Sequence, residues 1–134
     1  MFLVNGGAIS WSSKKQELVT LSTAESKYVA ATYAAKEALW LHCLIGEVFR
    51  SLEKPITLYS DSQSAIALMK DGSYHARTKH INIRHYFIHN KVDSKEINIV
   101  YMPIDEMTAD ILTKALALPR FKTLVSKMGL QICI

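Results

Sequence analysis

The sequence predicts a mixed α/β fold, and three observations support that prediction. Short segments of alternating or β-branched residues are typical of strands. A longer segment, beginning at Ala24, keeps its apolar residues at helical spacing. Glycine, asparagine and proline separate these segments, as turns require. The predicted order is strand pair, helix, strand, two helices, strand and two helices, which is typical of a mixed α/β domain. We expect one domain over residues 1–134, because the sequence contains no linker or repeat.

Composition narrows the class of protein. Hydrophobic residues make up 49% of the 134 residues and the formal net charge is +4, which excludes a disordered tail. No apolar run approaches the ~18 residues of a membrane span, and Met1–Val4 lacks the basic residue of a signal peptide. Two cysteines, Cys43 and Cys133, give no disulfide framework and favour reduced intracellular thiols. The basic balance is compatible with a nucleic-acid partner.

The N-terminal residues predict a β-hairpin. Residues 2–4 are apolar, and Asn5-Gly6-Gly7 tolerates the positive φ angles of tight hairpin turns. Ile9 and Trp11 then alternate with serines, as in a half-buried strand. We expect Trp11 and Trp40 to belong to the core rather than to a base-stacking surface.

A long helix is predicted next. Ser22 followed by Glu25 fits a capping box at its start, and the apolar spacing continues toward Phe49. Its apolar positions are Ala24, Tyr28, Ala31, Ala35, Ala38, Leu39, Leu41, Leu44, Ile45 and Val48. Pro55 precedes a strand over residues 56–60, after which Asp61-Ser62 can cap a short helix through Met69.

The second half predicts three further helices and one strand. The helices cover Arg77 to Val92, Asp105 to Leu116, and Pro119 to Met128. The strand covers residues 96–101, and Gly129 closes the last helix.

Three carboxylates occupy positions where α/β folds build sites. Glu25 lies in the first turn of the long helix, Asp61 follows a strand, and Asp110 lies inside a helix after the last strand. Converging carboxylates suit hard cations such as Mg²⁺, and two such ions can promote phosphodiester cleavage. The alternative is structural: Glu25 completes a capping box, Asp61 caps a helix, and Asp110 lies on an exposed face.

The segment from His75 to Lys91 is rich in hydrogen-bond donors. It holds four of the five histidines, several lysines and arginines, and no acidic residue. Its histidines are His75, His80, His85 and His89. The i, i+4 pair His85 and His89 could bind zinc, but no cysteine or acid completes that site. A phosphate-binding surface is favoured, and the alternative is a solvated face without function.

Several motifs, in order along nearly the whole chain, resemble the ribonuclease H region of copia-type (Pseudoviridae-like) retrotransposon Pol polyproteins. They are Ala8-Ile9-Ser10-Trp11-Ser12-Ser13-Lys14-Lys15-Gln16, Leu21-Ser22-Thr23-Ala24-Glu25, Ala34-Ala35-Lys36-Glu37-Ala38-Leu39-Trp40-Leu41, Asp61-Ser62-Gln63-Ser64-Ala65-Ile66, Ala76-Arg77-Thr78-Lys79-His80-Ile81 and Thr108-Ala109-Asp110-Ile111-Leu112-Thr113-Lys114. The resemblance implies a ribonuclease H-like mixed sheet of five strands with helices on both sides.

The resemblance also implies a function. It implies Mg²⁺- or Mn²⁺-dependent cleavage of the RNA strand of an RNA–DNA hybrid, with two ions in the intact site. The implied catalytic and metal-binding residues are Glu25, Asp61 and Asp110. The expected nucleic-acid-binding residues are Arg77, Lys79, His80, Arg84 and Lys91. The implied partners are the hybrid and the reverse transcriptase region of the same polyprotein, in a cytoplasmic virus-like particle and without a membrane.

Two departures from the family pattern lower the expected activity. The family's first, central strand carries a fourth carboxylate, and this sequence begins at the second strand. We therefore expect a truncated sheet whose open edges favour self-association. Lys27 stands where the family commonly has an acidic residue, while Asn82 replaces a common aspartate with little expected effect. Two alternatives to the nuclease stay open: a non-catalytic nucleic-acid-binding remnant, and an interaction module or degenerate gene product.

Overall fold

The computed structural model describes residues 1–17, 19–20, 22–50, 55–71 and 82–131, without the side chains of residues 82–85. The chain divides into two compact units, Met1–Glu17 with Met102–Ile134, and Leu18–Tyr101. The single domain expected from the sequence stays a prediction. Within the described residues the elements are β1 (Phe2–Val4), β2 (Gly7–Ser10), α1 (Thr23–Phe49), β3 (Ile56–Ser60), α2 (Gln63–Lys70), α3 (Asn82–Asp93), β4 (Ile97–Tyr101), a 3₁₀ helix (Thr108–Leu112) and α4 (Leu118–Lys127).

The first unit begins with the predicted hairpin. Strands β1 and β2 pair antiparallel, and Asn5 and Gly6 take φ angles of 50° and 79° in the turn between them. Positive φ at both central residues is what a tight hairpin turn requires, which explains the Asn-Gly sequence. The hairpin prediction is confirmed, but Ile9 and Trp11 are exposed rather than buried.

The helix predicted from Asp105 to Leu116 is wrong in extent and type. Only Thr108–Leu112 is helical, and it is a 3₁₀ helix with no side-chain cap at Met107. Threonine and aspartate are weak helix formers, so local sequence gives this segment little support as an α-helix. The final helix is confirmed: α4 has a proline in its first turn and ends before Gly129, whose φ is +73°.

The hairpin contacts the end of α4 within this first unit. The backbone N–H of Ala8 donates to the carbonyl of Met128 at 3.0 Å. A Cβ at Gly129 would lie 2.5 Å from the carbonyl oxygen of Gly6 and 3.0 Å from the Cα of Gly7. Gly129 therefore permits both the left-handed backbone and the close approach.

The second unit is built on a parallel strand pair. Strands β3 and β4 pair in register from Ile56 opposite Ile97 to Ser60 opposite Tyr101. Side chains alternate along β4, with Ile97 and Ile99 buried and Asn98 and Val100 exposed. Both strands were predicted, and both are confirmed.

Helices α1, α2 and α3 supply the rest of this core. Ser22 caps α1 by accepting from the backbone N–H of Glu25, and Ser62 caps α2 by accepting from that of Ala65. The buried residues of the core are Tyr28, Ala35, Ala65, Ile66, Met69, Ile88, Ile97 and Ile99. Burial raises the pKa of the Tyr28 hydroxyl well above its usual range.

The prediction that both tryptophans belong to the core is wrong. Trp11 and Trp40 are each 60% exposed, so neither belongs to the core. The apolar spacing of α1 continues past its last buried residue, Leu41, but Val48 and Phe49 are exposed. Helical periodicity identifies a face of the helix, whereas burial depends on how far the packing partners extend along it.

The described strands form two sheets of two strands each, β1 with β2 and β3 with β4. The five-stranded ribonuclease H-like sheet stays a prediction. Among the described helices, none is long and apolar enough to cross a membrane. Cys43 is an exposed free thiol, and Cys133 lies outside the described residues, so the prediction that both thiols are reduced stays a prediction.

Three glycine-to-alanine substitutions separate steric contact from backbone strain. Gly129→Ala should destabilise the protein most, by about 2–4 kcal/mol, because it combines a positive φ with the contact to Gly6. Gly6→Ala has the positive φ but open space around its Cβ, so about 1–2 kcal/mol is expected. Gly46→Ala, in α1 with open space, should stabilise by up to about 1 kcal/mol. Urea unfolding measures all three, and a Gly129→Ala variant as stable as wild type would contradict the close approach.

Candidate functional site

Asp61 lies directly after β3, where its side chain is not needed to cap the next helix. The hydroxyl of Ser62 accepts from the N–H of Ala65 at 3.3 Å, and the N–H of Ser62 donates to the hydroxyl of Ser60. The interpretation of Asp61 as the α2 cap is therefore wrong, and Ser62 has that role. The Asp61 carboxylate remains available for contacts outside its own helix.

That carboxylate forms an ion pair with Lys27. The ammonium Nζ of Lys27, in the first turns of α1, donates to Oδ1 of Asp61 at 2.7 Å. The Asp61 side chain is 16% exposed and that of Lys27 is 43% exposed. A carboxylate with so little access to water is stabilised by a cation at this distance.

Glu25 lies two residues before Lys27 on α1. Two residues turn a helix by about 200°, so these side chains leave the helix in different directions. The Ser22 half of the predicted capping box is present, with the N–H of Glu25 donating to the Ser22 hydroxyl at 3.2 Å. Within the described part of each unit, no three His, Cys, Asp or Glu side chains form a group that could hold a metal ion.

Asp110 belongs to the first unit and is held by two cations. It is 6% exposed, and its carboxylate accepts from Lys114 Nζ at 2.9 Å and Arg120 Nη2 at 3.2 Å. The same Arg120 nitrogen donates to the carbonyl of Ile104 at 2.6 Å, while its Nε is buried without a partner. Asp110 thus joins the 3₁₀ helix to α4, and the alternative that placed it on an exposed face is wrong.

The predicted basic surface is described only at its C-terminal end. Arg77, Lys79 and His80 lie outside the described residues, and Arg84 is described only by its backbone in α3. Lys91 donates to both carboxylate oxygens of Glu96, at 2.9 and 2.8 Å. These contacts and that of the Ser94 hydroxyl lower the pKa of Glu96 below its usual range.

The imidazole of His89 is also engaged. Its Nε2 lies 3.1 Å from the Asp93 carboxylate, one turn further along α3. The side chain of His85 lies outside the described part, so the i, i+4 zinc hypothesis stays without structural support.

The carboxylates do not fit a divalent cation in the arrangement described. Their oxygens are the ligand type that Mg²⁺ prefers. However, Asp61 contacts an ammonium, and Asp110 contacts an ammonium and a guanidinium. A metal ion would have to displace these cations. The convergence of all three carboxylates on one site stays a prediction.

Comparison with known proteins finds relatives that match nearly the whole length of the chain. It is 42% identical over 98% of its length to the Retrovirus-related Pol polyprotein from transposon TNT 1-94 of Nicotiana tabacum, covering 10% of that protein. It is 36% and 35% identical over 90% of its length to the corresponding polyproteins from transposons RE1 and RE2 of Arabidopsis thaliana, covering 8% of each. The chain thus spans about a tenth or less of these relatives.

The homologues of this chain are therefore copia-type retrotransposon Pol polyproteins, and that part of the predicted resemblance is confirmed. No protein-family model matches the chain. No solved structure is significantly similar to it.

Sequence reasoning missed the partners of these carboxylates. Lys27 and Asp61 are 34 residues apart, so no local pattern pairs them. Asp110 and Lys114 are an i, i+4 pair, which helical spacing could have indicated. Arg120 gave no comparable signal, because it reaches Asp110 from another helix.

The Glu96 contacts predict a measurable titration difference. A carboxyl whose pKa is lowered on folding stabilises the folded state above its unfolded pKa, and that contribution is lost as pH falls through the folded pKa. Lys91→Met should return the pKa of Glu96 toward its usual range. NMR titration of the side-chain carboxyl measures it, with Lys70→Met, at the end of α2, as the control. An unchanged Glu96 pKa in Lys91→Met would contradict the described ion pair.

The two cations at Asp110 should differ in their effect on stability. Arg120→Met removes contacts to both the Asp110 carboxylate and the Ile104 carbonyl, so we expect a loss of about 1.5–3 kcal/mol in the free energy of unfolding. Lys114→Met removes one contact from a more exposed side chain, and below about 1 kcal/mol is expected. Urea unfolding ranks the two variants, and the reverse order would show that Arg120 does not bridge these groups.

Proposed function

We propose that this chain is a ribonuclease H-like segment of a retrotransposon Pol polyprotein, acting on the RNA strand of RNA–DNA hybrids with low activity in the form described. The observation that carries the proposal is the position of Asp61. This carboxylate directly follows a strand of a parallel pair and lies within reach of the first turns of α1.

The position of Asp61 is chemically suitable for a site. In open α/β sheets, ligands bind in the crevice beyond the carboxyl ends of the strands, where side chains and helix starts meet. Asp61 and the start of α2 lie at such an end. Similarity to Pol polyproteins along 98% of the chain supports a role in nucleic-acid processing rather than in an unrelated α/β enzyme.

The strand pairing is also compatible with the proposed fold. A ribonuclease H-like sheet is mixed, and the described strands include one antiparallel pair and one parallel pair. The reverse transcriptase region is the proposed partner, because the relatives carry this sequence within a much longer polyprotein.

The ion pairs favour a second candidate, a nucleic-acid-binding segment without catalysis. Asp61 and Asp110 are both paired with cations of the chain itself, which opposes binding of the divalent ions that the nuclease requires. Such a segment would still bind phosphates through the basic residues around Arg77, Lys79, His80 and Arg84.

Hybrid cleavage distinguishes the two candidates. With Mg²⁺ and an RNA-labelled hybrid, we expect slow cleavage confined to the RNA strand. Asp61→Asn should lower the rate on the order of 10- to 100-fold, as loss of metal-site support does. Asp93→Asn is the matched control, because it alters another carboxylate of the same unit, one that contacts the His89 imidazole, and should leave the rate unchanged.

Binding measured on the same hybrid completes the test. Salt-dependent binding without cleavage would favour the second candidate. Alanine at Arg77, Lys79, Arg84 and Lys91 should then flatten the slope of log affinity against log salt by roughly 0.9 for each duplex phosphate that the variant no longer binds. If the chain neither binds nor cleaves the hybrid, both candidates are rejected. If Asp61→Asn cleaves the hybrid as fast as wild type, the proposed site is rejected.

A further inference from the structure

We infer that the Lys27 ammonium is the resident cation of Asp61, occupying the position beside β3 that a divalent ion would need and so weakening metal binding at this part of the chain. The inference uses the proposed function only to choose the competing ion. It rests otherwise on the contact between these two side chains.

The local environment supports a dedicated pair. Asp61 is 16% exposed, so its carboxylate is largely shielded from water and needs a compensating charge. The Lys27 Nζ is 2.7 Å from Oδ1, a short distance typical of a charge-assisted hydrogen bond. Backbone contacts fix the neighbours of Asp61, because Ser62 is held as the α2 cap and bonded to Ser60.

The Lys91–Glu96 pair shows what an ordinary surface contact looks like in this chain. Its carboxylate is 45% exposed and lies five residues from its lysine, across a turn. The lysine that contacts Asp61 instead lies 34 residues away, in α1. The Asp61 side chain is about three times less exposed than that of Glu96. The two pairs therefore provide a matched comparison of a partly buried and an exposed carboxylate.

A tethered ammonium is an effective competitor for a divalent ion. Lys27 is held on α1 near Asp61, so its effective concentration at the carboxylate is at least in the millimolar range of a flexible tether. Mg²⁺ binds carboxylates while retaining several waters and sheds its hydration reluctantly. At comparable concentrations the ammonium has the advantage, because it is already held beside the carboxylate and no free ion has to be immobilised.

The inference predicts that removing the ammonium uncovers cation binding. Mn²⁺ is the probe, measured by the loss of its free EPR signal and by broadening of backbone amide NMR signals at residues 61–63. In Lys27→Met we expect Mn²⁺ to bind near Asp61 on the order of tenfold more tightly than in wild type, which corresponds to about 1.4 kcal/mol. Lys27→Arg, which retains a cation, should resemble wild type.

Two controls make the test specific. The double variant Lys27→Met with Asp61→Asn should abolish the new Mn²⁺ binding, and Lys91→Met should produce none near Asp61. Amide NMR spectra establish that each variant is folded. Equal Mn²⁺ affinity in wild type and Lys27→Met, or equal broadening at residues 61–63 in both at the same Mn²⁺ concentration, would overturn the inference. Because no nucleic acid is present, the result is independent of whether the chain cleaves hybrids.

Discussion

The parallel pairing of β3 with β4 is the constraint on which the larger unit depends. Parallel neighbours cannot be joined by a tight turn, so the chain between Ser60 and Ile97 must return along the sheet, and it does so with α2 and α3. Those helices bury Met69 and Ile88 against Ile97 and Ile99. The same pairing places Asp61 at the carboxyl end of β3, so the core and the candidate site have one structural origin.

The pairing of the carboxylates with lysine and arginine side chains then determines whether they can bind a metal ion. Asp61 and Asp110 have little exposure to water, and each contacts cations supplied by its own unit. The carboxylates are thus stable without any ligand, unlike carboxylates that repel one another until a metal binds. The net free energy of binding a divalent ion is the difference between its own interaction with the carboxylates and that of the cations it displaces. Acidic residues that lie close together therefore do not by themselves establish a metal site.

Local signals in the sequence predicted most elements but not their long-range contacts. Asn5-Gly6, Ser62, Pro119 and Gly129 specify turns and caps through their own backbone preferences, and the structure has those features at those residues. Around Asp110 the sequence predicted a longer α-helix than the short 3₁₀ helix that is found, and it gave no sign of the contact from Arg120. The exposure of Trp11 and Trp40, and the Lys27–Asp61 contact, depend on tertiary packing that periodicity does not encode.

The distribution of paired cations also limits where phosphates can bind. The net charge is +4, yet Lys27, Lys91, Lys114 and Arg120 each already hold a carboxylate. Lys91 can exchange its partner at little cost, because Glu96 is exposed and would be solvated if released. Arg120 cannot do so as easily, since it would leave Asp110 with less compensation in a buried position. Under the proposed function, the Arg77–Lys91 segment would bind phosphates, whereas the cations beside Asp61 and Asp110 compensate carboxylates of the fold.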